Sequence, residues 1–181
     1  MNSVSFVDGH IDEEKQTPHI LDSGDRTEFS TGAVRDMREG KGRCDLLPLD
    51  VVAFAMGVDD NHHRPIIEIQ SFIEKSQKTD LVFALEWFCV LRKWDRPTMF
   101  LEVAKHFEEG SKKYGENNWQ KGIPVRCYID SAIRHYLKWL RGDQDEPHDR
   151  AFCWNLMCAI WTCEHKPELN DYRKDDENAS N

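Results

Sequence analysis

Apolar residues recur at helical spacing through the middle of the chain, separated by polar breaks that contain glycine or proline. Leu46 to Val58 (LLPLDVVAFAMGV) reads as an apolar helix, with Pro48 tolerated in its first turn. From Ile66 to Lys93 the apolar positions Ile66, Ile69, Ile73, then Leu81, Leu85, Phe88 and Val90 keep the same period, with a break expected near Lys78–Asp80. Asp95 or Thr98 caps the next helix, which runs to about Tyr114 and stops at Gly115. On that helix Phe100, Val103, Ala104, Phe107, Ser111 and Tyr114 share one face, the expected buried side, and Glu102, His106, Glu109 and Lys113 form a polar row opposite. Glu108 then lies along the edge of the buried stripe, whereas Glu109 needs a second surface to become buried. Val125 to Arg141 turns Val125, Ile129, Ala132, Ile133, Tyr136 and Leu140 inward, points Arg134 and Lys138 away, and ends at Gly142. The last helix, from about Pro147 to Glu164, is apolar almost all round and is therefore expected to be buried. One stripe of it, His148, Ala151, Asn155, Ala159 and Thr162, alternates small residues with His and Asn. A buried unpaired Asn155 costs about 1–3 kcal/mol, so it needs a partner, either another helix or a ligand.

These elements predict an all-α bundle in one domain, residues 29–165. Residues 59–97 form a helical insertion whose default role is packing or self-association. Residues 1–28 are expected to be disordered and 166–181 to be a polar tail. Charge sharpens this division. The net charge of the 181-residue chain is −9. Residues 1–28 carry seven acids and two bases, and 166–181 five acids and three bases, so the middle is left near −2. That balance excludes a footprint for duplex nucleic acid, though a small anion needs only a local cluster of bases. No apolar run approaches the roughly 20 residues that span a bilayer, and the first residues lack a signal-peptide pattern, so a cytoplasmic location is expected. The six cysteines make no CxxC or Cys/His zinc spacing and read as small buried hydrophobes.

Three stretches carry candidate chemistry. Glu108 to Pro124 (EEGSKKYGENNWQKGIP) turns the corner between two helices with carboxylates that can hold a metal, lysines that can hold phosphate, and Trp119, which can stack on a base. Phe29 to Pro48 gathers Arg35, Arg38, Lys41 and Arg43 among three glycines; it is either a solvated loop or a phosphate cradle, and it is not a P-loop. Asp143 to Asp149 (DQDEPHD) places four acids and a histidine before a helix, as dipole caps or as oxygen ligands for a divalent cation.

The blocks FSTGAVRD, GKGRCDLLP, GSKKYGENNWQKGIP, DSAIRHYLKWLRGD and HDRAFCWN resemble the signature blocks of the phage dATP/dGTP diphosphohydrolase family, the MazZ-like relatives of MazG. They cover residues 29–56 and 98–162. The resemblance implies a MazG-like helical bundle, a homo-oligomer (dimer or tetramer), and Mg²⁺- or Mn²⁺-dependent hydrolysis of a deoxynucleoside triphosphate, with a purine base, to the monophosphate and pyrophosphate. For a phage-encoded chain the host cytoplasm is the implied location. MazG enzymes present EExxE on one helix and ExxD on the next; here Glu108 and Glu109 are followed by Ser111, Lys112 and Lys113, and Glu146 with Asp149 supplies an ExxD spacing. On this resemblance Glu108, Glu109, Glu146 and Asp149 are the expected metal ligands. Lys113, Arg35, Lys41 and Arg43 balance charge on the leaving pyrophosphate. Asn118, Trp119 and Asn155 read or stack the base, and Tyr114 and Arg134 complete the nucleotide contacts. Glu108, Glu109, His135 and His148 are the catalytic candidates, the histidines moving a proton or holding a phosphate. The missing second carboxylate of the first helix motivates an alternative: a phage protein that sequesters a nucleotide without turning it over.

Overall fold

The structure is a computed structural model and describes residues 24–37 and 39–173. Six helices carry it: α1 (Leu49–Met56), α2 (Arg64–Lys75), α3 (Lys78–Arg92), α4 (Arg96–Tyr114), α5 (Val125–Arg141) and α6 (His148–His165). The strands β1 (Arg26–Glu28) and β2 (Val34–Asp36) form an antiparallel hairpin. The fold is therefore all-α with a small hairpin laid on it, as the hydrophobic period predicts.

Local chemistry sets the helix ends close to where the sequence places them. Asp95 accepts the Thr98 N–H at 2.8 Å and caps α4. The break between α2 and α3 falls at Ser76–Gln77, slightly before the expected position, because Ser76 turns left-handed at φ +57°. α5 and α6, joined by a short loop, form the central pair. α6 also packs on α4 and α3, α3 on α2, and α2 on α1. Tyr128, Ile129, Ile133 and Tyr136 of α5 and Phe152 and Leu156 of α6 are fully buried between them. Phe88 of α3 meets Phe152 at 4.7 Å and Trp139 at 4.9 Å between ring centroids. The stretch 59–97 thus contributes α2 and α3 to the one core, with Ile66, Ile69, Phe72, Leu81 and Phe88 all buried.

Two expected boundaries move. Residues 1–23 and 174–181 lie outside the described residues, as does Arg38. Of the remainder, residues 26–28, placed with the disordered segment, pair with 34–36 because main-chain groups on both segments face one another in register. At the other end residues 166–173, placed with the tail, fold back. Asp171 accepts the Arg126 N–H at 2.8 Å at the start of α5, Asn170 donates to Ser76 Oγ at 2.7 Å, and the Tyr172 ring meets Phe72 edge-on. Gly122, at φ +110°, is the residue this return passes over: a Cβ there would lie 2.6 Å from Leu169 Cδ1.

α4 departs from its amphipathic pattern. Met99, Val103 and His106 are buried, while Phe100 is 51% and Leu101 68% exposed. The polar row expected to face solvent instead faces the protein. α6 supplies the second surface: Arg150 lies 3.2 Å from Glu109 and 3.9 Å from Glu102, and Asp36 takes Lys113.

Candidate functional site

A cavity of about 910 Å³ opens between the hairpin, the second half of α4, the turn after it, α5 and the start of α6. That is the size range of small-molecule sites. The hairpin forms one wall because Asn118 clamps it: Val34 N–H donates to Asn118 Oδ1 at 3.0 Å, and Asn118 Nδ2 donates to Val34 O at 2.8 Å. Thr31 adds a bond to Gly122 O.

The clamp carries Arg35 into the cavity wall. Its guanidinium lies 5.2 Å over the Tyr128 ring and 5.9 Å over Trp154, and Nη2 donates to Asn155 Oδ1 at 2.5 Å. Nη1 is buried without a hydrogen-bond partner, and among the described residues no carboxylate pairs with this cation. Lys41, in the loop before α1, lines the same cavity and also has no ion-pair partner among the described residues. Burial pulls its pKa down, with Arg134 and Lys113 acting the same way; Asp36 and Glu146 pull it up. The loop is held from beneath. Arg134 donates to Lys41 O at 3.1 Å, Gly42 O at 2.8 Å and Asp130 Oδ2 at 2.5 Å, and Asp130 Oδ1 accepts the Cys44 N–H at 2.7 Å. Asp36 ties the neighbouring wall together: it pairs with Arg26 at 3.0 Å and with Lys113 at 2.7 Å. Burial and the bond to Asp36 push the Tyr114 phenol up.

At the α5–α6 end, His135 Nδ1 and His148 Nδ1 are 3.0 Å apart, and Glu146 Oε1 lies 3.7 Å from each. His148 Nε2 bonds Asp145 at 2.7 Å, and Lys138 holds the other Asp145 oxygen at 2.7 Å. Burial, and then the neighbouring His148, holds His135 well below the usual histidine range, so it is neutral at neutral pH.

α6 spaces these parts. His148, Asn155, which holds Arg35, and Trp161, which packs on Trp119 at 4.9 Å, follow one another along it. A rise of 1.5 Å per residue separates the three levels by about 10 Å each. The histidine cluster, the free guanidinium and the aromatic wall of Phe107, Tyr114 and Trp119 thus occupy successive levels.

Arg35, Lys41, Glu108, Tyr114, Asn118, Trp119, Arg134, His135, Glu146 and Asn155 all line the cavity, and Lys113 stands behind its wall on Asp36, but several hold roles other than those expected. Asn118 holds Val34 with both ends of its amide, and Asn155 divides its own between Arg35 and Ala151 O, so both amides have structural partners in place of the base contact expected. Arg134 and Lys138, expected to point away, turn to the site. Arg43 pairs with Asp45 at the surface instead of facing the cavity.

The four expected metal ligands do not converge. Glu108 is 65% exposed and pairs with Lys112 one turn on; Glu109 pairs with Arg150; Asp149 pairs with Arg92 at 2.9 Å. Only Glu146 joins a potential ligand cluster, and its companions are His135 and His148; a second cluster joins Asp143, Asp145 and His148. Among the cavity residues left without a role in the sequence are Asp36, Asp130 and His106, the last buried with Nδ1 unpartnered. Asp130 alone left a signal there, four residues before Arg134 on the edge of a buried face.

Residues 74–172, more than half of the chain, match the sequence model of the family described as dATP/dGTP diphosphohydrolase, N-terminal. The chain belongs to this family. The matched range of the diphosphohydrolase family covers α3 to α6 and hence the histidine cluster, His106, Lys113 and Asn155, while the hairpin and Lys41 lie before it. No curated protein and no solved structure matches the chain.

Proposed function

We propose that the cavity takes a purine deoxynucleoside triphosphate and cleaves its α–β phosphoanhydride to give the monophosphate and pyrophosphate. The observation that carries this reading is that Arg35 and Lys41, two cations with no ion-pair partner among the described residues, share the wall of one cavity with the aromatic side chains of Phe107, Tyr114 and Trp119. A buried guanidinium without a carboxylate is costly unless an anion completes it. The family description supplies the substrate class.

In this reading Arg35 and Lys41 hold the phosphates and take up charge that develops on the leaving pyrophosphate. Arg134 and Asp130 fix the loop that carries Lys41. The base lies against Phe107, Tyr114 and Trp119, and the attacking water is activated at the cluster of His135, Glu146 and His148. The substrate is the Mg²⁺ or Mn²⁺ complex of the nucleotide, whose phosphates supply most of the ion's ligands and whose ion neutralises the triphosphate. Phe54 on α1, 88% exposed, and Phe100 and Leu101 on α4 are apolar side chains that a homo-oligomer can cover, read out by sedimentation. No helix of the described residues is long and apolar enough to cross a membrane. The setting we propose is phage nucleotide metabolism.

Incubation with each dNTP and NTP, with Mg²⁺ or Mn²⁺ and then with EDTA, tests the reading. Conversion of a purine dNTP to monophosphate and pyrophosphate, lost in EDTA and in Lys41→Ala, is the expected result. Survival of every nucleotide overturns it. The scatter of Glu108, Glu109 and Asp149 favours a second reading, a nucleotide-sequestering protein, which predicts tight binding without products.

A further inference from the structure

We infer that His135, His148 and Glu146 form a resident site for a transition-metal dication of the Zn²⁺ or Co²⁺ class, separate from any ion that arrives with the nucleotide. The three donor atoms make a triangle with sides of 3.0, 3.7 and 3.7 Å. The point equidistant from its corners lies about 2.0 Å from each, which is the Zn–N and Zn–O bond length. That point lies in the plane of the three donors, so a tetrahedral ion sits just above it once the side chains close in slightly.

The chemistry of the donors agrees with the geometry. Two imidazole nitrogens and one carboxylate are a borderline set that suits Zn²⁺, Co²⁺ or Fe²⁺, whereas Mg²⁺ takes oxygen ligands and sheds water reluctantly. His148 is already oriented as a ligand, because Asp145 accepts from Nε2 and leaves the lone pair of Nδ1 facing His135. Lys138 in turn holds Asp145. Glu146 is largely buried and has no lysine or arginine at ion-pair distance among the described residues, Lys41 acting on it only from further off. Glu146 and His135 line the cavity, which places the open coordination position toward the nucleotide. Three protein ligands with one open position is the arrangement of catalytic rather than structural zinc. A bare histidine–histidine hydrogen bond explains the 3.0 Å contact but not the carboxylate equidistant from both rings.

The test uses the full chain, stripped with chelator and titrated with Co²⁺ in the absence of nucleotide, reading the visible d–d absorption. One Co²⁺ per chain, displaced by Zn²⁺ and not by a large excess of Mg²⁺, is the expected result. Glu146→Gln and His148→Asn each weaken Co²⁺ binding by more than about 100-fold, and Asp145→Asn by about 10–100-fold, as for a partner that orients a ligand. His148 is fully buried, and its variant can fail to fold; Glu146 sits on the cavity wall, so Glu146→Gln, checked by circular dichroism, decides. Absence of a stoichiometric band, a band unchanged in Glu146→Gln, or displacement by Mg²⁺ at similar concentration overturns the inference. Because no nucleotide is present, that failure leaves the hydrolase reading standing, and inactivity toward nucleotides leaves the metal site standing.

Discussion

Asp130→Asn tests the support beneath Lys41. The wild-type carboxylate is fully buried and accepts the Cys44 N–H at 2.7 Å and Arg134 Nη2 at 2.5 Å. The amide keeps one acceptor for Cys44 and turns a donor toward the guanidinium, so Arg134 loses its counter-charge while remaining largely buried. Breaking a buried pair costs about 3–5 kcal/mol. Arg134 keeps the carbonyls of Lys41 and Gly42 and some solvent contact, so the expected loss is about 2–3 kcal/mol. With an m-value of about 2 kcal/mol/M, the urea midpoint falls by about 1 M at unchanged m. In the same variant the rise in melting temperature on adding a purine dNTP should shrink, because Arg134, and with it the Lys41 loop, is held less firmly. A double-mutant cycle with Arg134→Met isolates the pair. A midpoint shift below about 0.3 M, or an undiminished response to nucleotide, would refute the argument that Asp130 holds the phosphate-binding loop through Arg134.

Arg35→Met should weaken nucleotide binding by about 10–100-fold in calorimetry, the worth of hydrogen bonds to a charged group, with Arg35→Lys recovering only part of it. Glu146→Gln should lower turnover far more than Glu108→Gln: both line the cavity, but Glu146 faces two histidines while Glu108 is tied to Lys112 in an exposed pair; equal losses in a steady-state assay would restore Glu108 to the reaction. His106 has its pKa pulled down to about 3 by burial, then by Arg150 and Arg35. It is neutral in the fold and titrates near 6.5 when unfolded, so its contribution is complete above about pH 6.5 and declines by about 1.4 kcal/mol per pH unit as pH falls toward 3. His106→Gln should flatten that part of the stability–pH curve measured by urea unfolding; an unchanged slope contradicts the assignment.

Local features of the chain determined most of the architecture. The 3.6-residue period fixed five apolar segments, and caps such as Asp95, Gly115 and Gly142 fixed their ends, because helix start and stop are settled by groups within a turn or two of each other. The stripe from His148 to Thr162 was legible for the same reason, and all five of its members are buried. The pattern of α4 misled because an apolar face need not be the one that packs. Arg150 and Asp36, distant in the chain, drew Glu109 and Lys113 inward and left Phe100 and Leu101 outside.

The site divided along the same line. That Arg35, Lys41 and Lys113 were a cationic set could be read from composition. Which of the four bases near the hairpin faces the cavity could not, because that depends on Asn118 reaching 84 residues back to Val34 and Arg134 reaching 93 back to Lys41. The histidine cluster has no local signature: His135 lies within α5, His148 opens α6, and only the α5–α6 packing brings their Nδ1 atoms to 3.0 Å. Spacing along the chain therefore determined the helices and the kinds of side chain available. Long-range packing alone decided which of those side chains share a cavity, since a contact between helices is set by the whole packed core and not by residues near in sequence.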